Sequence, residues 1–287
     1  MKKIIKKILF FISENLGLGD IKREIRDNNK FQQANFLRDN LYENAKYLGN
    51  KRLTRYERKV FSQGGEDGII EEIFKRIGVT DKIFMEFGIG DGTENNSLNL
   101  LANGWSGRWL EGNSASIDKI NADYGFLLKS GRLKVKNLFI TAENIEQAFR
   151  EMAMPKEFDL LSIDIDGNDY WVWRAIKNYS PRAVVIEYNG NFGPETKWVM
   201  KYNPNHNWRG NSYFGASLKS LELLGAEKGY KLVGCNFAGA NAFFVRQDLA
   251  GENFFSPFTS ENHYEPKRPF LLKTSGDKRY FGEFVNI

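Results

Sequence analysis

The chain has 287 residues, 41% of them hydrophobic, which is enough for one large globular domain with extensions. Its single cysteine, Cys235, excludes an internal disulfide and a cysteine-based metal site, and favours a reducing compartment. The formal net charge is +5, and the excess of basic residues lies in residues 1–60, which contain 15 Lys+Arg and 7 Asp+Glu. The remainder of the chain is mildly acidic, so we do not expect it to bind nucleic acid.

Residues 1–12 combine lysines with short apolar stretches. The apolar run at 8–12 is too short for a membrane span or a signal sequence. As a helix, this stretch would place its isoleucines on one face and Lys2, Lys3, Lys6 and Lys7 largely on the other. Such a helix suits the anionic inner face of a membrane, or packing on its own domain or a second copy. We therefore expect a cytoplasmic protein, with peripheral membrane contact and homo-oligomerisation left open.

The pattern of residues 20–60 predicts a polar helical segment, and we expect residues 1–60 to form a basic N-terminal extension. Its expected buried face consists of apolar residues at Phe31, Phe36, Leu37, Leu41, Tyr42 and Leu48. The following stretch, Phe61 to Asp67, predicts a turn that leads into an amphipathic helix from Ile69 to Ile77.

Strand and helix patterns then alternate along the chain. Apolar strands are predicted at 83–88, 107–111, 133–138, 158–164 and 182–188, with helices at 94–103, 114–128, 143–153 and 169–178. Strict alternation with apolar strands predicts a parallel sheet covered on both faces.

The last part of the domain departs from this alternation. A helix at 215–228 precedes strands at 230–235 and 242–246, and the short connection between these strands makes them antiparallel. We predict an α/β fold with a doubly wound, mostly parallel seven-stranded sheet and a C-terminal antiparallel hairpin. This is the outline of class I methyltransferases, whereas dinucleotide dehydrogenases use a sixth parallel strand. The domain would cover 61–250, with a tail at 251–287 packed on it.

The first strand ends in Glu86 and is followed by Gly88, Gly90 and Gly92 before a polar segment. A strand, a glycine turn and a helix start let a nucleotide-like ligand approach the backbone. Glycines avoid a Cβ atom that would strike that ligand, and we predict that these four residues bind the cofactor.

Glu111 ends the second strand roughly twenty residues later, where an acid reaches a ribose diol in nucleotide-binding α/β folds. The ligand is either a dinucleotide or S-adenosylmethionine. The dinucleotide fingerprint requires glycine at position 93, where Thr93 stands, so the spacing favours S-adenosylmethionine. Asn144, in the turn after the third strand, is expected near the adenine.

Acidic residues follow the fourth and fifth strands. Asp164 ends the fourth strand, Asp166 and Asp169 come just after it, and Glu187 and Asn189 end the fifth. Oxygen ligands at adjacent strand ends suit Mg²⁺ or a similar divalent cation, which predicts a metal site of Asp164, Glu187 and Asn189. Alternatively, Asp166 and Asp169 cap the next helix while Asp164 binds the ligand. Either way Asp164 belongs in the crevice, as a cofactor-binding and catalytic residue.

His206 lies in a long polar loop after the fifth strand, which should overhang the crevice as a lid. A histidine there can act as the general base that deprotonates a hydroxyl. The alternative is a solvated loop residue without a catalytic role.

Four stretches resemble the FkbM-type methyltransferases: residues 61–67, the loop 86–92, residues 161–169 and residues 185–187. The resemblance covers roughly residues 61–246. It implies a class I fold, S-adenosylmethionine as methyl donor and O-methylation, often of sugars in natural products or surface glycans. That family commonly has Asp-x-Glu-Gly-x-Glu where this chain has Asp164-Ile-Asp166-Gly-Asn-Asp169, so the shorter acids keep the charge but alter the reach.

We therefore expect an O-methyltransferase that acts on a hydroxyl of a surface polysaccharide, a glycolipid or a nucleotide-sugar precursor. The alternative is a non-catalytic module that binds a nucleotide or a glycan on the same fold.

Overall fold

The structure is a computed structural model and describes residues 17–272. The amphipathic stretch at 1–12 and the end of the predicted tail lie outside the described residues, so the membrane contact remains a prediction. Within 17–272, no helix combines the length and the apolar character needed to cross a membrane.

Seven strands form one sheet in the order β3-β2-β1-β4-β5-β7-β6. Their bounds are β1 Ile83–Phe87, β2 Ser106–Glu111, β3 Leu133–Asn137, β4 Glu157–Ile163, β5 Ser180–Glu187, β6 Tyr230–Cys235 and β7 Asn241–Arg246. The first five strands are parallel, and β7 pairs antiparallel with both β5 and β6. The predicted fold class, including the C-terminal antiparallel hairpin, is confirmed.

The strand order reverses direction at the centre of the sheet. Strand β1 pairs with β2 on one side and with β4 on the other. Strands β2 and β3 therefore extend the sheet toward one edge, and β4 and β5 extend it toward the other. In open α/β sheets such a reversal leaves a crevice at the carboxyl ends of the central strands. The crevice described below lies at this point.

The helices are mostly shorter than predicted. They are α1 Leu18–Leu37, α2 Glu66–Ile77, α3 Leu98–Ala102, α4 Ser114–Asp123, α5 Gly125–Lys129, α6 Ile145–Glu151, α7 Asp169–Ala175, α8 Leu218–Glu227, α9 Gln247–Ala250, α10 Ser260–His263 and α11 Pro269–Leu272. The predicted helix 94–103 forms only as α3, because the backbone N–H groups of Asn96 and Ser97 bond the Glu86 carboxylate in a turn before it. The predicted helix 114–128 breaks at Tyr124, whose hydroxyl donates to the Gly92 carbonyl at 2.6 Å.

Both faces of the sheet are buried. Met85, Phe87 and Leu161 point into one hydrophobic cluster, while Phe84 and Leu160 point into the other. Because side chains alternate along a strand, continuous apolar strands need cover on both sides, and the helices supply it.

The expected burial of the N-terminal extension was partly wrong. Leu41 is fully buried, but the exposed fractions of Phe31, Tyr42 and Leu48 are 62%, 49% and 54%. Helix α1 meets the domain near its C-terminal end, where the Phe36 ring packs edge-on against Phe270 with centroids 5.0 Å apart. Phe31 precedes this contact, and the chain beyond residue 42 leaves the helix for short turns, so a single helical face does not form.

A buried ion pair ties β4 to β5 and to the loop before β1. Asp159 is fully buried and accepts hydrogen bonds from Arg182 at 2.7 Å and from the backbone N–H groups of Thr80 and Lys82. Burial would raise the pKa of Asp159, but the hydrogen bond from Arg182 and those from the loop outweigh it, and the net shift is downward. The pair therefore depends on a charged carboxylate in the folded protein.

We expect Asp159→Asn to lower the free energy of unfolding by about 3–5 kcal/mol, because it leaves the Arg182 guanidinium buried without its counter-charge. Urea unfolding followed by circular dichroism measures this. The control is Asp39→Asn, which removes the exposed pair with Arg38 and should change the free energy of unfolding far less, because solvent screens the pair. Equal losses in the two variants would contradict the role of the buried pair.

Candidate functional site

A crevice of about 490 Å³ opens at the carboxyl ends of β1, β2 and β4. This size is typical of sites for small molecules and cofactors. Several residues that the sequence predicted for the site line it together: Gly88, Gly90, Glu111, Asp164 and His206.

The glycines that follow β1 have different roles. A Cβ atom at Gly88 would lie 1.5 Å from the carbonyl oxygen of Asp164, so this glycine lets the ends of β1 and β4 approach each other. A Cβ atom at Gly92 would meet the rings of Tyr124 and Trp109, at 3.1 and 3.2 Å. Gly90 is the one of the three with no protein atom within 4 Å of such a Cβ, and its φ of +55° is a left-handed conformation. The space expected for a ligand is therefore found at Gly90.

Glu86 is buried beneath the crevice, with an exposed fraction of 2%. Its carboxylate accepts hydrogen bonds from the backbone N–H groups of Asn96 and Ser97, and from the hydroxyls of Ser97 and Ser162. Burial raises the pKa of Glu86 to about 7, although these hydrogen bonds act in the opposite direction. The side chain thus organises the turn before α3 and lines a cavity beside the crevice.

Glu111 stands at the mouth of the crevice at the end of β2. Its Oε2 accepts from the Gly90 N–H at 2.9 Å and its Oε1 from the Asn113 N–H at 2.8 Å. Each carboxylate oxygen offers about two acceptor positions, so one on each oxygen remains for a ligand hydroxyl. The two backbone hydrogen bonds fix the orientation of the carboxylate at the end of β2.

Asn144 shapes the loop after β3. Its Oδ1 accepts from the Thr141 N–H at 2.9 Å, and its Nδ2 donates to the Phe139 carbonyl at 2.8 Å. The crevice wall here is apolar and is formed by Leu138, Phe139 and Ile140. Sequence reasoning missed Phe139, and the available signal was an aromatic residue directly after a strand end.

Three carboxylates gather between β4 and β5. Ligand oxygens of Asp164, Asp166 and Glu187 lie within 4.8 Å of one another. Burial, and then repulsion from the neighbouring acids, raises the pKa of Asp164 and of Glu187 well above their usual values. The Oε2 atom of Glu187 is buried and has no hydrogen-bond partner in residues 17–272.

Asn189, expected as a metal ligand, is occupied elsewhere. Its Nδ2 donates to the carbonyls of Ser212 and Phe214, and its Oδ1 accepts from Asn191. The group of oxygens that could hold a cation therefore contains Asp166 in place of Asn189. Asp169 accepts from the N–H groups of Ile165 and Gly167, which holds the acidic loop at the start of α7.

The loop that carries His206 covers the acidic centre. A Cβ atom at Gly167 would lie 2.3 Å from Cδ2 of His206, so the imidazole rests directly on that glycine. The loop is fastened by hydrogen bonds from Asn168 to the Asn203 carbonyl and from Trp171 to the Met200 carbonyl, both 2.7 Å long. Nε2 of His206 is buried and lacks a hydrogen-bond partner in the described part of the chain, which leaves it available for a hydrogen bond with a ligand.

A second cavity, of about 420 Å³, adjoins the crevice and meets it at Gly88, Gly90 and Asp164. Amide side chains line it, among them Gln63, Asn95 and Asn241. The sequence gave no expectation for this cavity, because isolated asparagines in polar segments look like turn residues.

No family model matches this chain, and no curated protein matches it. Solved structures with distant similarity include methyltransferases. An O-methyltransferase family protein from Burkholderia thailandensis is 10% identical, with a TM-score of 0.39, over 63% of this chain and 58% of that one. The pyocyanin biosynthetic protein PhzM is 11% identical, with a TM-score of 0.38, over 62% and 54%. The StiE O-MT is 12% identical, with a TM-score of 0.36, over 58% and 53%.

The chain spans about half the length of several of the solved structures that it resembles. Likeness at these identities and TM-scores assigns no activity, which has to come from the site.

We expect the free energy of unfolding to fall as the pH rises, because the buried Glu86 loses its proton. Because the folded-state pKa of about 7 lies above the unfolded value near 4.5, the folded state binds the proton more tightly. The resulting stability is present at low pH and is lost between about pH 4.5 and 7, by roughly 3 kcal/mol. Glu86→Gln should remove this part of the pH dependence, measured as urea unfolding free energies at pH 5 and 8. The exposed Glu252→Gln is the control, and identical pH slopes in wild type and Glu86→Gln would refute the expectation.

Proposed function

We propose that this protein is an S-adenosylmethionine-dependent methyltransferase that methylates a hydroxyl of a sugar or glycan. The observation that carries the proposal is the orientation of Glu111, whose carboxylate is held at the crevice mouth by the Gly90 and Asn113 N–H groups. The strand order and the resemblance of four stretches to FkbM-type methyltransferases agree with it.

The crevice residues suit this cofactor. Glu111 can accept both hydroxyls of a ribose, and its negative charge disfavours a 2′-phosphate. Phe139, with an exposed fraction of 44%, offers an apolar surface for an adenine ring. Gly90 leaves space for the ligand beside the backbone, and Asp164 supplies an acidic partner for a positively charged group.

When bound, the cofactor supplies a methyl group on a positively charged sulfur. The protein must hold the acceptor hydroxyl near it, exclude water and remove the hydroxyl proton. In this proposal Nε2 of His206 takes that proton, because the atom is buried at the crevice and lacks a partner in the described chain. Asp166 then stabilises the charged imidazole, and the loop fastened by Asn168 and Trp171 limits access of water.

A divalent cation is part of the proposal. Asp164, Asp166 and Glu187 would bind it through one oxygen each, and the unpartnered Oε2 of Glu187 fits this role. The cation would lower the pKa of a hydroxyl and offset the repulsion among the three carboxylates.

Isothermal calorimetry should detect binding of S-adenosylhomocysteine and no binding of NAD. We expect Glu111→Gln to weaken S-adenosylhomocysteine binding roughly tenfold or more, since hydrogen bonds to a charged group contribute about 1.5–3 kcal/mol each. Glu227→Gln, on the exposed side of α8, is the matched control. Binding of NAD alone would overturn the cofactor assignment.

A second assay separates an enzyme from a binding module. Transfer of a labelled methyl group onto at least one of two acceptor classes, glycolipid extracts or nucleotide sugars, should be seen with wild type and be lost, by at least 100-fold, in His206→Ala. Cofactor binding without transfer to either acceptor class would favour a non-catalytic role.

Mg²⁺ should raise the unfolding temperature of the wild-type protein, because a ligand that binds the folded state stabilises it. Glu187→Gln should abolish this rise, since it removes one of three carboxylates and keeps the side-chain shape. Asp118→Asn, on helix α4 and outside the cluster, should respond like wild type. An enzyme that transfers methyl groups at full rate after treatment with a chelator would rule out the catalytic cation.

A further inference from the structure

The cavity beside the crevice is lined by four amide side chains and four carboxylates, and we name it the amide lobe after its amides. These amides are Gln63, Asn95, Asn96 and Asn241. We propose that the amide lobe binds the acceptor as an uncharged, polyhydroxylated group, and that phosphate groups are excluded from it. This inference rests on the proposed function and adds to it where the acceptor lies and which chemical class it belongs to.

Asn95 is the first observation behind this proposal. The residue has an exposed fraction of 8%, yet both its Nδ2 and its Oδ1 are buried without a hydrogen-bond partner in residues 17–272. A buried polar atom without a partner costs about 1–3 kcal/mol, so two on one side chain call for a ligand. An amide that offers one donor and one acceptor matches a sugar hydroxyl, which both accepts and donates.

Asn241 supplies an independent acceptor on another side of the lobe. Its exposed fraction is 6%, and its Oδ1 is also buried without a partner among the described residues. Its Nδ2 donates to Oε1 of Glu66 at 2.9 Å, and the same oxygen accepts from Nδ2 of Asn236 at 2.7 Å. Glu66 therefore fixes which end of the Asn241 amide is free, and the free end is the carbonyl oxygen.

The charge of the lobe selects against anions. Its lining contains the acids Glu86, Asp91, Glu94 and Asp164, and no lysine or arginine is present among the described lining residues. The nearby Lys119 is paired with Asp91 and is thus already compensated. A phosphate or carboxylate in the lobe would find no lysine or arginine among these lining residues to pair with, whereas neutral hydroxyls can bond to both amides and carboxyl groups.

The position of the lobe suits an acceptor. The lobe and the crevice share Gly88, Gly90 and Asp164, so a ligand in the lobe and a ligand in the crevice would contact each other at these residues. Asn241 begins β7 directly opposite Glu187 of β5, which brings the lobe to the rim that carries the three carboxylates. A hydroxyl held by Asn95 and Asn241 is thereby brought to the acidic centre.

Saturation-transfer NMR on the full chain, loaded with S-adenosylhomocysteine, tests the proposal. The probes are methyl glycosides of glucose, galactose, mannose and rhamnose, with UDP-glucose as the charged counterpart. We expect a signal from at least one glycoside with wild type, reduced at least fivefold in Asn95→Leu. The affinity for S-adenosylhomocysteine, measured by calorimetry, should change less than twofold.

The matched control is Asn99→Leu, because Asn99 has the same exposed fraction of 8% and lies on helix α3, outside the lining of both cavities. Asn95→Ala serves as a second variant if circular dichroism shows that the leucine disturbs the fold. A wild-type protein that binds S-adenosylhomocysteine and none of the glycosides would overturn the proposal. So would UDP-glucose binding that depends on Asn95.

The result also separates this inference from the proposed function. A loss of S-adenosylhomocysteine affinity of tenfold or more in Asn95→Leu would assign the lobe to the cofactor and overturn the acceptor site, leaving the methyltransferase proposal intact. A wild-type protein that does not bind S-adenosylhomocysteine would instead overturn both.

Discussion

The close approach of β1 and β4 at their carboxyl ends determines the arrangement of the whole site. Only a residue without a side chain can occupy position 88, because a Cβ atom there would lie 1.5 Å from the Asp164 carbonyl oxygen. This contact aligns Glu86 with Ser162 across the two strands and directs Asp164 toward both cavities. The residues that follow Gly88 are then free to turn toward β2, where the Gly90 N–H meets Glu111.

The buried acids divide into two groups by their hydrogen bonds. Glu86 and Asp169 accept backbone N–H groups, so their carboxylates stabilise turns at the start of α3 and α7. Glu187 keeps a buried oxygen without a partner in the described chain, and its pKa is raised by burial and by Asp164. An unfavourable arrangement of this kind is a candidate for relief by a ligand, which is the reason that Glu187 belongs to the proposed site while Glu86 and Asp169 stabilise the turns around it.

The sequence predicted the sheet well because continuous apolar strands and their short connections leave few alternative topologies. It predicted less of the site, since loop contacts between distant segments decide which side chains are free. Asn189 and Asp166 illustrate this: both follow strand ends, but Asn189 is occupied by the carbonyls of Ser212 and Phe214 in a later loop and by the side chain of Asn191. Asn95 could not be recognised either, because its proposed role rests on side-chain atoms that have no hydrogen-bond partner within residues 17–272.

Each of the residues 167–169 in the acidic loop after β4 has its own structural role. Asp169 holds the loop through two backbone N–H groups, and Asn168 fastens the overlying segment at the Asn203 carbonyl. Gly167 leaves the space that the His206 ring fills, because any Cβ atom there would lie 2.3 Å from the imidazole. Burial raises the pKa of Asp166, while the charges of Lys267 and His206 act in the opposite direction. The loop thus holds the His206 imidazole against Gly167, beside the acidic residues, and the aspartates place negative charge there with a shorter side chain than glutamate.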